Sequence, residues 1–99
     1  MTEADVRKKF REVAIEKKWL WYYPPRTRFH TDDIFGIADV LVWRPTGLAL
    51  IQLTTASNLV ARVKKIEAAL AGIPWRRGVA IEVWAWHKKK KIFKIRKVV

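Results

Sequence analysis

Residues 33–55 read DIFGIADVLVWRPTGLALIQLTT, and this stretch decides the fold. Two largely apolar segments, residues 34–43 and 48–54, lie on either side of Arg44-Pro45-Thr46-Gly47. Proline and glycine stand there at the places where a tight turn needs them, so the pattern predicts a β-hairpin. The second segment begins with an unbroken apolar run, which is typical of a central strand covered on both faces.

On the N-terminal side of this hairpin the sequence predicts one helix and one strand. Residues 2–18 carry apolar side chains at steps of three and four, and Thr2 with Asp5 forms a variant of the helix capping box. Residues 19–23 are an aromatic run of high strand propensity that ends at Pro24-Pro25, and residues 26–32 are a polar loop.

On the C-terminal side the pattern predicts a helix and two more strands. The helix begins at residue 57 or 58 and ends at residue 71, with Gly72 as its C-terminal cap. Residues 79–86 and 92–99 are the strands. We therefore expect a single α/β domain over residues 1–99, in the order helix, three strands, helix, two strands, with no linker or internal repeat.

The charge balance indicates a polyanionic partner. The chain has 21 Lys and Arg against nine Asp and Glu, a net charge of +12, and no acidic residue follows Glu82. Nucleic acid is the expected partner. An anionic membrane is the competing one, but residues 87–99 lack an apolar stripe at helical spacing. The basic residues at the C-terminus are Lys88, Lys89, Lys90, Lys91, Lys94, Arg96 and Lys97.

Composition excludes several other classes of protein. With no cysteine, the chain has no disulfides, thiolate zinc sites or cysteine nucleophiles. No apolar run approaches the roughly 20 residues that span a bilayer, and the first residues lack the layout of a signal peptide. We expect a cytoplasmic protein with no membrane partner. A domain of this size has little stability to spare, so a homodimer would be unsurprising.

Three polar residues stand out in the hairpin. Asp39 lies in the first strand of the hairpin, while Gln52 and Thr54 share one face of the second strand, opposite Ile51 and Leu53. An unpaired polar group in a buried strand costs about 1–3 kcal/mol, so these side chains need partners. The hairpin can bring Asp39 beside Gln52. A carboxylate and an amide oxygen near one point suit Mg²⁺ or Mn²⁺.

The order of these motifs resembles the core of the PD-(D/E)XK nuclease superfamily. The resemblance lies in residues 33–39 (DIFGIAD), the turn, residues 51–54 (IQLT) and the following helix. Within the superfamily the chain is similar to the small phage and archaeal Holliday junction resolvase-like and VRR-NUC-like domains. The resemblance covers nearly the whole chain. It implies a restriction-endonuclease-like αβββαβ core with a mixed central sheet and an extra C-terminal strand. It also implies a Mg²⁺- or Mn²⁺-dependent endonuclease that cuts DNA.

The resemblance assigns a role to each motif residue. Asp39 matches the metal-binding Asp, Gln52 the acid position and Thr54 the lysine position, and the Leu53 carbonyl is a further possible ligand. Gln52 brings an oxygen but no charge, and Thr54 cannot supply the cation that stabilises the transition state. An acid on the first helix often completes such sites, and Glu3 lies on the same helix face as the apolar residues. Glu3 can equally serve the helix dipole alone.

Other residues could replace the missing groups. Asp33 is either an extra ligand or a cap at the start of the strand. Asn58, Arg62 and Lys65 share one flank of the second helix, where the two cations either reach the scissile phosphate or form a solvated face. Two histidines, His30 and His87, are isolated from each other and are expected to be ordinary polar residues.

The six tryptophans are too many for one small core. Trp84 and Trp86 share a strand face that could stack on unpaired bases or form a dimer seam, although core packing is the default for most tryptophans. Trp75, Arg76 and Arg77 follow the second helix and could contact phosphates. Lys88, Lys89, Lys90 and Lys91 are expected to hold the DNA backbone.

These observations predict a small metal-dependent DNA endonuclease of viral or mobile-element type, acting on branched or flapped DNA. The alternative is a protein that keeps the nuclease fold, has impaired catalysis and binds branched or single-stranded nucleic acid. A third interpretation is an RNA-associated basic module, in which Trp84 and Trp86 stack on bases.

Overall fold

The computed structural model describes residues 2–24, 34–72 and 78–98, including the backbone but not the side chain of Glu3. The elements follow the order that the sequence predicts, with one short 3₁₀ turn added before the second helix. They are α1 (Glu3–Glu16), β1 (Leu20–Tyr22), β2 (Val40–Arg44), β3 (Gly47–Thr55), the 3₁₀ turn (Ala56–Asn58), α2 (Leu59–Leu70), β4 (Val79–His87) and β5 (Ile92–Lys97).

The strands form one mixed sheet in the order β1-β2-β3-β4-β5. β3 and β4 are parallel, and the other neighbouring pairs are antiparallel. α2 lies in the connection between the two parallel strands, which cannot be joined by a tight turn. The α/β class, the mixed sheet and the central position of β3 are therefore confirmed.

The two helices bury opposite faces of the sheet. Val6, Phe10 and Ala14 of α1 pack with Ile51 and Leu53 of β3 in one core cluster. Leu59, Val63 and Ile66 of α2 pack with Leu50 and Ile81 in a second cluster. Alternate residues of β3 thus serve different cores, as strand geometry requires. Neither helix in the described ranges is long and apolar enough to span a bilayer.

The local signals of the sequence are confirmed at the ends of these elements. Thr2 caps α1, since its hydroxyl oxygen accepts the Asp5 amide at 3.2 Å while the Asp5 carboxylate accepts the Thr2 amide at 2.9 Å. The β2–β3 hairpin closes with Arg44 opposite Gly47, whose φ of 119° favours glycine. At the end of α2 the prediction is one residue late: the helix ends at Leu70 and Ala71 is its C-cap, so Gly72, with φ of 80°, follows the cap.

The predicted strand over residues 34–43 is wrong in its first half. The amide of Ile37 donates to the Ile34 carbonyl at 3.0 Å, and Phe35 and Gly36 have φ values of 54° and 71°. Left-handed backbone at two successive residues turns the chain back, so only an isolated bridge joins Ile34 to Ala38. β2 starts at Val40, and Asp39 immediately precedes it.

A buried ion pair ties the hairpin to β4. Glu82 is 2% exposed, and its carboxylate accepts hydrogen bonds from Arg44 Nη1 at 3.0 Å and from Trp84 Nε1 at 2.9 Å. The Arg44 guanidinium also lies over the Trp19 ring, with Cζ 5.6 Å from the ring centroid. Burial alone raises the pKa of Glu82, but the hydrogen bonds from Arg44 and Trp84 and the nearby positive charges outweigh it, and the pKa is lowered.

This lowered pKa predicts an acid-sensitive contribution to stability. Because the unfolded chain binds a proton on Glu82 more readily than the folded chain, the contribution is complete above the unfolded pKa of about 4.5. It is lost as pH falls through the lower, folded pKa. The free energy of unfolding, measured by urea denaturation, should fall less between pH 7 and pH 3 for Glu82→Gln than for the wild type. Equal losses in both proteins would contradict the assignment.

Candidate active site

Asp39 lies where the hairpin strands stop pairing. Its amide donates to the Ile51 carbonyl at 2.9 Å, and upstream of it the chain turns away from β3. The amide of Leu53, which a longer β2 would have bonded, donates instead to Asp39 Oδ2 at 2.7 Å. The carboxylate thus replaces the next backbone acceptor of the ladder. Its burial, with 2% of the residue exposed, follows from this position at the centre of the sheet.

The structure brings Gln52 to the same oxygen. Gln52 Nε2 donates to Asp39 Oδ2 at 2.7 Å, and Gln52 is 7% exposed. The predicted convergence of the carboxylate and the carboxamide is present. The side-chain amide, however, presents its nitrogen to Asp39, whereas the sequence predicts its oxygen beside the carboxylate as a second ligand. A carboxylate accepts and an amide nitrogen donates, so in this arrangement the pair is satisfied internally.

Arg7 of α1 completes the surroundings of Asp39 on the side of the first helix. Its Nη2 lies 3.7 Å from Asp39 Oδ1, and the side chains of the two residues are 20% and 3% exposed. The guanidinium thus supplies positive charge beside a carboxylate that has little contact with water. Sequence reasoning missed this residue, because Arg7 belongs to a helix with several basic residues and nothing in their spacing distinguishes it.

Tyr23 holds Arg7 in place. Its hydroxyl donates to the Arg7 carbonyl at 3.1 Å, and the Arg7 guanidinium carbon lies 5.4 Å from the Tyr23 ring centroid. Burial raises the pKa of Tyr23 to about 12; the charges of Arg7 and Arg11 oppose that rise and Asp39 adds to it. The hydroxyl therefore stays protonated at neutral pH and remains a donor.

Few oxygen atoms of the described residues are placed beside Asp39 as ligands for a metal ion. The described residues contain no group of three or more His, Cys, Asp or Glu side chains that could hold a metal ion. Asp39 contributes one carboxylate and Gln52 one amide oxygen. In an extended strand the N–H and C=O of one residue point to the same side, so the Leu53 carbonyl faces the Asp39 side as its amide does. Mg²⁺ commonly takes one or two carboxylates and completes its shell with water and substrate phosphates, which this donor set allows.

The sequence predicts three further residues for the catalytic site, Thr54, Glu3 and Asp33. Thr54 is 7% exposed and follows Gln52 by two positions on β3, so both lie on one strand face, as predicted. Glu3 begins α1, one helical turn before Arg7, but its side chain lies outside the described residues. Asp33 also lies outside them.

The predicted DNA-contacting residues of α2 lie on the second face of the sheet. Asn58 precedes the helix, and its side-chain nitrogen Nδ2 donates to the Thr55 hydroxyl at 3.3 Å. Arg62 is half-buried and Lys65 is exposed. α2 packs in a different core cluster from α1, so these residues and Arg7 approach the sheet from opposite sides.

The lysine run is an exposed turn between β4 and β5. Its four residues are solvent-exposed, and the turn closes with the Lys91 amide donating to the His87 carbonyl at 2.8 Å. His87 Nδ1 accepts the Lys90 amide at 3.3 Å, which gives this histidine a structural role. The lysines are Lys88, Lys89, Lys90 and Lys91. His30, Trp75, Arg76 and Arg77 lie outside the described residues.

Comparison with known proteins gives no assignment for this geometry. No family model matches the chain. No curated protein matches it either.

Proposed function

We propose that this chain is a divalent-metal-dependent endonuclease that hydrolyses phosphodiester bonds in DNA, with branched or flapped DNA as the preferred substrate. The single observation that carries the proposal is the meeting of the Asp39 carboxylate and the Gln52 carboxamide, 2.7 Å apart, where β2 and β3 separate. Asp39 and Gln52 are thirteen residues apart in sequence, and both are nearly buried. A net charge of +12 supports a polyanionic substrate.

The residues that would hold the metal are Asp39, Gln52 through its amide oxygen, and the carbonyl of Leu53. Half a turn of the Gln52 amide about its last side-chain bond exchanges nitrogen for oxygen at the point now facing Asp39. When bound, a divalent cation supplies charge neutralisation at the phosphate and a water of lowered pKa. Glu3, on the helix that carries Arg7, is the candidate for a second carboxylate.

Arg7 is the cation that the motif itself lacks. Thr54 stands where the resemblance expects lysine, and it can position a group only by a neutral hydroxyl. The Arg7 guanidinium, 3.7 Å from Asp39 Oδ1, can bind two phosphate oxygens at once. We assign to Arg7 the stabilisation of charge on the phosphate that the family pattern gives to lysine.

A second candidate is a nucleic-acid-binding protein that has the same site without turnover. The observation in its favour is that both oxygens of Asp39 already face donors, Oδ2 the Gln52 and Leu53 nitrogens and Oδ1 the Arg7 guanidinium. A buried carboxylate with a cation and two hydrogen bonds is stable without a metal. This candidate predicts salt-sensitive binding with neither cleavage nor Mn²⁺ uptake.

Cleavage assays separate the two candidates. Labelled linear, flap and four-way DNA are incubated with the protein and Mg²⁺ or Mn²⁺. We expect cleavage by the wild type, and a loss of about 10³-fold in Asp39→Asn, because removing the anionic ligand forfeits several kcal/mol of transition-state stabilisation. Glu67→Gln, an exposed acid on α2, is the matched control and should cleave normally.

Three results would overturn the endonuclease proposal. Cleavage that is unchanged in Asp39→Asn would place the activity elsewhere or in a contaminant. Binding of all three DNAs without cleavage in either metal would establish the second candidate. Calorimetric titration with Mn²⁺ that shows no heat in the wild type, with or without DNA, would exclude the metal site.

A further inference from the structure

A groove of about 710 Å³ runs between α1 and the β4–β5 hairpin, apart from the Asp39 site. Its apolar lining includes Trp84, Trp86 and Phe93 from the sheet and Val13 from the helix. Trp84 is only 3% exposed and belongs to the core, whereas Trp86 and Phe93 are half-buried. The groove is therefore an aromatic surface that the chain itself covers only in part.

The strand register places these rings side by side. Trp86 is opposite Phe93 and Trp84 is opposite Ile95, and directly opposed residues of antiparallel strands share a face. The Phe93 ring lies 5.0 Å from Trp86 and 5.3 Å from Trp84, measured between centroids, with interplanar angles of 71° and 58°. Such edge contacts fix the rings without covering all of their faces.

Positive charge borders the aromatic surface. Four lysines and two glutamates line the groove, which leaves an excess of two positive charges. Lys9 Nζ lies over the Trp86 ring, 5.5 Å from its centroid and 3.9 Å from Glu12 Oε2. Lys88 and Lys91 of the exposed lysine turn also line the groove. The glutamates, Glu12 and Glu16, lie on the α1 side. Aromatic rings beside lysines are the arrangement that binds single-stranded nucleic acid, with bases on the rings and phosphates on the cations.

The groove is close to the Asp39 site. Leu53, whose amide binds Asp39, pairs with Trp84 on β4, and Trp84 pairs with Ile95 on β5. The groove floor thus begins one strand away from Leu53, and β5 is two strand spacings away, about 10 Å. The groove therefore lies on the α1 side of the sheet, the side from which Arg7 approaches Asp39.

We propose that this groove binds an unpaired segment of a DNA strand, with a base packed against Trp86 and Phe93 and its phosphates on Lys9, Lys88 and Lys91. The inference deepens the proposed function, on which it rests for the choice of DNA, and explains why the substrate would be flapped or branched. A second copy of the chain is a poorer occupant, since it would bring another charge of +12 against the lysines.

Binding measured without metal tests the groove independently of cleavage. Fluorescence anisotropy in EDTA follows a labelled single-stranded DNA, a blunt duplex and an RNA of the same sequence. Because each stacked base contributes roughly 5- to 150-fold in affinity, Trp86→Leu should weaken single-stranded DNA binding by a factor in that range. Blunt-duplex affinity should change by less than about twofold, since paired bases do not reach the rings.

Trp43→Leu is the matched control. Trp43 is 63% exposed on β2 and does not line the groove, so both affinities should stay as in the wild type. Should Trp86→Leu fail to fold, as judged by circular dichroism, the wild type is measured instead against an oligonucleotide with abasic sites. That probe keeps the phosphates and lacks the bases, and it should bind the wild type roughly 5- to 150-fold more weakly than ordinary single-stranded DNA does.

Specific outcomes overturn the inference. Packing of a base in the groove would be ruled out if abasic and ordinary DNA bound equally well. It would also be ruled out if Trp86→Leu weakened duplex and single-strand binding equally. Tighter binding of RNA than of DNA would overturn the choice of DNA. A wild-type dimer that Trp86→Leu converts to monomer, seen by sedimentation, would make the groove a self-association surface. If single-stranded DNA binds in the groove as expected but the protein cleaves no DNA, the endonuclease proposal is refuted and the groove inference is not.

Discussion

Replacing Arg44 by methionine is expected to lower the free energy of unfolding by about 3–5 kcal/mol, the largest loss of stability that we predict for a single side chain. The change leaves the carboxylate of Glu82, whose side chain is 3% exposed, without its cation in the middle of the sheet. Domains of this size have a total stability of about 5–15 kcal/mol, so the variant should unfold at a much lower urea concentration or fail to fold. Urea denaturation followed by tryptophan fluorescence measures the change.

The double variant Arg44→Met/Glu82→Gln is the control for this assignment. Glutamine removes the uncompensated charge and keeps an oxygen that can accept from Trp84 Nε1, which now bonds Glu82 at 2.9 Å. The double variant should therefore be more stable than Arg44→Met alone. If the single variant is as stable as the wild type, or if the double variant is the less stable of the two, the ion pair does not have the role assigned to it.

Replacing the four lysines of the β4–β5 turn by glutamine should weaken binding of every nucleic acid, paired or unpaired. Each lysine that neutralises a phosphate contributes about 0.9 to the slope of log affinity against log salt, so the slope should fall by up to about 3–4. At about 0.1 M salt we expect a loss of roughly 10²-fold. Anisotropy titrations at several salt concentrations measure both quantities. The residues are Lys88, Lys89, Lys90 and Lys91.

A charge-matched variant distinguishes this turn from general positive charge. It carries glutamine at four exposed cations outside the turn and so has the same net charge. It should retain most of its affinity and its salt slope. If both variants lose affinity equally, the net charge matters and the position of the lysines does not. The four cations are Lys8, Arg11, Lys18 and Lys64.

The accuracy of the sequence-based prediction varies with the range of the interactions involved. The Thr2 cap and the turn from Arg44 to Gly47 depend on residues within a few positions of each other, and both are confirmed. The turn at residues 34–38 was missed because its apolar side chains have the composition of a strand, and Gly36 was the one local signal against it. Its consequence is large, since this turn sets Asp39 at the point where the ladder ends.

The candidate site was predictable only in part. Strand alternation and the hairpin were sufficient to predict that Asp39 and Gln52 meet. The direction of the Gln52 amide was not predictable, because it depends on which groups surround Asp39, and Arg7 is one of them. Arg7 reaches Asp39 through the packing of α1 on the sheet, and no spacing in the sequence encodes that contact.

By itself the sequence determined the order of helices and strands, the faces that they bury and the excess of positive charge, because each of these follows from side-chain type and local periodicity. Only the tertiary structure decided what surrounds Asp39 and that Trp86 and Phe93 border an open groove beside α1. Such contacts join segments that are far apart in the chain, and their geometry is fixed only when the helices pack on the sheet and exclude water from its two faces.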